Sequence, residues 1–90
     1  MGRKETVTRV IDGDTFMTGS RKRPIRLANV LAPEKGNRSA GAATQALRQL
    51  VEGKTVSIET VARDKYGRSV ANVKTGNRSI NAAMRRKGYK

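Results

Sequence analysis

Residues 5–11, "ETVTRVI", alternate between core-forming and water-facing side chains, the period of a strand with one covered face. Comparable short pieces return at 15–18, 25–31 and 54–62, and again as "SVANVK" at 69–74. Turn chemistry separates them: "DGDT" with Gly13, "GSRKRP" with Gly19 and Pro24, and "RDKYGR" with Asp64 and Gly67. Helical spacing occurs in two other stretches. In "GNRSAGAATQALRQLVEGK", Ala43, Ala46, Leu47, Leu50 and Val51 share one face. Ser39 is the expected N-cap of that helix and Gly53 its stop. "GNRSINAAMRRKG" is expected to start at Ser79 and end at Gly88, with Arg85, Arg86 and Lys87 at the negative end of its dipole.

Three strands, a helix, two strands and a last helix predict a mainly β, α+β chain. The expected form is a five-stranded β-barrel of the oligonucleotide-binding (OB) type. One helix falls between strands 3 and 4, and the other is C-terminal. Another small α+β fold is the alternative. The 90 residues are expected to form a single domain. A chain of that size buries only about 60% of its unfolded surface. Phe16, Tyr66 and Tyr89 are the only aromatics, so Val, Ile, Leu and Ala must supply most of the core.

There is no cysteine, which excludes disulfides, thiol chemistry and cysteine-ligated zinc. There is no histidine either, which removes the usual general base near neutral pH. Acid–base chemistry is left to carboxylates, Lys, Tyr or metal-bound water. The balance of 20 Lys and Arg against 7 Asp and Glu, +13 net, favours a polyanionic partner, nucleic acid above membrane. The basic residues are scattered over the expected elements, no apolar run is long enough to span a bilayer, and no membrane partner is expected. The N-terminal residues lack the apolar region of a signal peptide, so the expectation is a cytoplasmic protein or a secreted one with its leader removed.

Asp12 and Asp14, in "DGDT", are two carboxylates in a basic field, which suits a hard cation such as Ca²⁺; an Asp-Gly turn is the plainer reading. Arg26 interrupts an apolar strand, where a fixed guanidinium can grip phosphate with two donors. Glu34 follows Pro33 in a loop. Lys65, Tyr66 and Arg68 share one turn, which could hold a phosphate backbone and stack a base. "GKT" at 53–55 is not a P-loop, because Arg48 stands where the first glycine is required.

"RVIDGDTF", "IRLANVLAPE" and "RDKYGRSVANV", in that order, resemble the staphylococcal (thermonuclease-type) nuclease family. The resemblance runs from about Val7 to Gly88. It implies an OB-type barrel that hydrolyses DNA and RNA phosphodiesters with Ca²⁺ as cofactor. It further implies Asp14 as a metal ligand and Arg26, Glu34 and Arg68 as catalytic residues. The backbone carbonyl of Ala32 would be a second metal ligand, and Lys65 and Tyr66 would contact substrate. Single-stranded DNA or RNA and a monomeric state are expected.

The family pattern carries a metal-ligating aspartate three residues before the glutamate, and here that residue is Leu31. The expectation is therefore a nuclease with a weakened metal site. The alternative is a catalytically silent nucleic-acid-binding module of the same fold.

Overall fold

The computed structural model describes residues 3–33 and 36–90. Its elements are β1 (Arg3–Asp12), β2 (Thr15–Thr18), β3 (Ile25–Leu27), α1 (Ala40–Val51), β4 (Thr55–Arg63), β5 (Ser69–Thr75), β6 (Arg78–Ser79) and α2 (Ile80–Arg86). The sheet order is β3-β2-β1-β4-β5-β6. A further parallel pairing, Ile25 with Ser69 through Leu27 with Ala71, joins β3 to β5. That pairing closes β1, β2, β3, β5 and β4 into a ring, as an OB-type barrel requires.

Strand β1 does not keep strict alternation. Its register against β2 shifts between Val7 and Arg9, so Glu5, Val7 and Val10 all point inward. The ring is filled by Val7, Val10, Phe16, Ile25, Leu27, Val56, Ile58, Ala71 and Val73. Leu47 and Val51 of α1 and Ile80 and Met84 of α2 complete this core. Aliphatic packing thus does what few aromatics could not.

Several sequence boundaries move. The third strand, expected over 25–31, stops at Leu27, because Asn29 adopts a left-handed backbone (φ 59°) that pairing cannot continue. Ser39 occupies the N-cap position of α1, but its side chain makes no capping bond. Asn37 acts instead: its Oδ1 accepts from the Ser39 N–H, and its carbonyl accepts from Ala40. Gly53 ends α1 with φ 76°, as a glycine there permits. Ser79 caps α2 through a bond from the Ala82 N–H at 3.1 Å. The two-residue strand β6, paired with Lys74 and Thr75, was not expected. Among the described residues no helix is long and apolar enough to cross a membrane.

Candidate active site

The β1–β2 turn, the loop after β3 and the β4–β5 turn meet at one cleft of about 480 Å³. Asp12, Asp14, Arg26, Leu31, Ala32, Pro33, Tyr66 and Arg68 line it. Parallel pairing of β3 with β5 is what brings the last two residues to the first six.

Asp14 is buried at 8% exposure, and its backbone carbonyl accepts from the Leu27 N–H at 2.8 Å. Its carboxylate accepts from the Thr15 hydroxyl at 2.8 Å and from the Ala32 N–H at 3.4 Å. The Arg26 Nη2 lies 3.6 Å away. Burial works to raise the Asp14 pKa, but bonding with Asp12, Thr15 and Ala32 and the charge of Arg26 hold it below the ordinary value. Asp12 moves the other way: burial raises its pKa, and the neighbouring Asp14 raises it further.

The Arg26 guanidinium donates to the Leu27 carbonyl at 3.1 Å and to the Val30 carbonyl at 3.0 Å. The left-handed residue Asn29 lies between these two acceptors, Leu27 at the end of the strand and Val30 beyond the turn. The planar fork is therefore fixed before any ligand arrives.

Asp64 builds the β4–β5 turn. Its Oδ1 accepts from the N–H groups of Tyr66 and Arg68, and its Oδ2 accepts from Arg68 Nε at 2.6 Å. Slight burial opposes ionisation, yet these bonds keep the Asp64 pKa below its usual value. Gly67 completes the turn with φ 82°. Among the described residues the Arg68 Nη groups carry no hydrogen bond, so they remain available at the cleft. Tyr66 is exposed and flanked by Lys65 Nζ at 5.3 Å and the Arg68 guanidinium at 5.4 Å from its ring centre.

Of the residues singled out from sequence, Asp14, Arg26, Ala32, Tyr66 and Arg68 share this cleft, and Lys65 stands beside Tyr66. Glu34 lies outside the described residues. Leu31 is 64% exposed at the cleft and offers it no oxygen from its side chain. Among the described residues no group of three or more carboxylates is placed to enclose a metal ion.

Three residues have supporting roles that their sequence context did not assign. Gly13 lies where the β1–β2 turn presses on α1 and the Ala32 loop: a Cβ there would stand 2.6 Å from the Ala43 Cβ and 2.7 Å from the Ala32 Cβ. Asn81 is buried; its side chain accepts from the Val73 N–H and donates to the carbonyls of Ala28 and Ala71. It ties α2 to β5 and to the residue that follows β3. Glu5 accepts from Thr18, Ser20 and Arg21. An acid on the inward face of β1 with Val7, and an Asn on the same helix face as Ile80 and Met84, were visible signals of burial.

The family described as staphylococcal nuclease homologue matches residues 24–90, which include β3, both helices and the Arg68 turn. The chain belongs to the staphylococcal nuclease homologue family. Its relatives within reach of sequence comparison include an uncharacterized endonuclease of Escherichia coli O157:H7, 45% identical over 69 residues, or 74% of this chain and 45% of that protein. Protein ParB of Escherichia coli is 34% identical, covering 91% of this chain and 52% of that protein. An uncharacterized endonuclease of Haemophilus influenzae is 32% identical, covering 91% of this chain and 48% of its own length. This staphylococcal nuclease homologue thus spans about half the length of those curated relatives.

Proposed function

We propose that this chain hydrolyses phosphodiester bonds of DNA or RNA, single strands preferred, with Ca²⁺ at a weakened metal site. One observation carries the reading. Asp14, Arg26 and Arg68 come from three separate segments and converge on one cleft in a fold shared with a nuclease family. The endonuclease names of two relatives agree with it.

The cleft's donor chemistry fits a hard cation held loosely. Asp14 and Asp12 offer carboxylate oxygens, the Ala32 carbonyl is a further candidate, and water would complete the six to eight ligands Ca²⁺ takes. When bound, the ion supplies positive charge beside the phosphodiester and acidifies water. Arg26 and the Nη groups of Arg68 bind the non-bridging phosphate oxygens, where negative charge accumulates during attack. Glu34 accepts the proton of the attacking water, a role carried by the family motif. An ordinary glutamate, with a pKa of about 4.3, is a weak base and depends on that assistance. Lys65 holds the strand's backbone and Tyr66 stacks on a base.

The exposed Leu31 favours a second reading, a module that binds nucleic acid without cutting it. Incubation of single-stranded DNA with the chain at millimolar Ca²⁺, beside Glu34→Gln, separates the two. Cleavage by the natural chain that the variant loses supports the nuclease. Salt-sensitive binding with no cleavage above the variant's supports the silent module.

A further inference from the structure

Beside the cleft, on the other side of the β4–β5 turn, lies a smaller hollow of about 250 Å³ lined by Arg21, Lys22, Arg23, Arg63 and Ser69. Four of these five residues are cationic. The hollow is organised from within. Glu5 holds Arg21 through Nε at 2.8 and 2.9 Å and through Nη2 at 2.7 Å, and Arg21 Nη1 donates to the Ser69 hydroxyl at 3.2 Å. Glu5 therefore neutralises Arg21 and fixes the β2–β3 loop. Its acidity follows: the Arg21 bond, with help from Thr18 and Ser20, outweighs burial and brings its pKa down to about 2.

Lys22, Arg23 and Arg63 are exposed, and among the described residues none of the three forms an ion pair. Three unneutralised cations on a braced loop and a strand end repel one another, and a bound polyanion relieves that repulsion. The hollow and the cleft meet at successive residues of one turn. Arg68 lines the cleft and the next residue, Ser69, lines the hollow. The Arg23 guanidinium lies against Gly67, where a Cβ would overlap it, and Arg63 Nη1 donates to the Gly67 carbonyl at 3.4 Å.

The geometry points to a second phosphate-binding subsite at Lys22, Arg23 and Arg63, which receives the backbone of a strand already seated in the cleft. It rests on the proposed nucleic-acid reading and sharpens it: the substrate is a polynucleotide strand several residues long, rather than a nucleotide or dinucleotide. Arg21 and Glu5 are positioning residues for this subsite. Gly67, lacking a side chain, leaves room for the Arg23 guanidinium against the β4–β5 turn.

Fluorescence anisotropy with labelled single-stranded DNA of roughly 4 and roughly 12 nucleotides tests it, with divalent cations chelated to keep the strand intact. The natural chain is expected to bind the longer strand more tightly. K22Q/R23Q/R63Q is expected to lose that gain, with affinity for the longer strand down about 10-fold. Its slope of log affinity against log salt should fall by about 2, from three lost phosphate contacts at about 0.7 each. Lys22→Gln alone, which disturbs no contact described above, should lower the slope by about 0.7 whether or not the triple variant folds. Unchanged slopes, with the natural chain binding DNA normally, overturn the subsite and leave the cleft reading standing. Failure of the natural chain to bind either strand overturns both. Length-dependent binding here together with no cleavage in the separate millimolar Ca²⁺ assay overturns the nuclease reading and leaves the subsite standing.

Discussion

The Asp14 carboxylate stands 3.6 Å from the Arg26 guanidinium, and the same guanidinium is held by the carbonyls of Leu27 and Val30. Asp14 thereby serves as an acid at the cleft and as an anchor for the Ala32 loop. Asp14→Asn should lower the cleavage rate by about 10²-fold or more, since it removes a preorganised charge. The stability cost should be near 1 kcal/mol, because the amide can still accept one of the bonds. Initial rates and urea denaturation, measured on the same preparation, check the two parts.

Leu31→Asp should raise Ca²⁺ affinity and the cleavage rate, since it adds a carboxylate at an exposed position on the cleft. Little stability should be lost, as the leucine side chain is largely in water. Calorimetric Ca²⁺ titration of both chains is the check. Equal affinities would mean that residue 31 does not reach the cation.

Gly13→Ala should destabilise by about 1–3 kcal/mol through overpacking against Ala32 and Ala43. It should also slow cleavage, because the Ala32 loop must move away from Asp14. Ala43→Gly in the same chain removes one of the two clashing methyls and should recover part of the stability. Thermal melts of the single and double variants measure the cost of that contact and its recovery.

Asn81→Ala should cost on the order of 3 kcal/mol. It leaves the Val73 N–H and the carbonyls of Ala28 and Ala71 without their side-chain partner in a buried setting. Urea unfolding at neutral pH measures it.

Glu5 gives the fold a defined acid sensitivity. Its pKa is lowered from 4.5 to about 2 in the folded chain, so its contribution is complete above about 4.5 and is lost as pH falls towards 2. A shift of that size corresponds to about 3 kcal/mol. Glu5→Gln should remove that part of the pH dependence, read from unfolding free energies across the same interval.

The order of strands and helices was legible because alternation, turn residues and helical spacing are local signals, and the expected architecture holds with one added short strand. The end of β3 was not legible: nothing in "RLANV" announces that Asn29 turns left-handed. Nor was the mode of capping at α1, since Asn37 and Ser39 are both good caps and the choice depends on loop geometry. At the cleft, residue types were readable from the motifs, but the bonds that fix them were not. Arg26 is held in part by the Val30 carbonyl beyond that turn, and Arg68 reaches the cleft through the pairing of β3 with β5. Gly13 and Asn81 act through long-range packing, which spacing along a chain does not encode.

Arg68 is therefore the most direct probe of the central claim, that the cleft is a phosphodiesterase site assembled from distant segments. The measurement is the initial rate of single-stranded DNA hydrolysis at saturating Ca²⁺ for the natural chain and Arg68→Gln, both shown to be folded by thermal melting. A loss of about 10²–10³-fold in the variant is the predicted result. Equal rates in the two chains would contradict it.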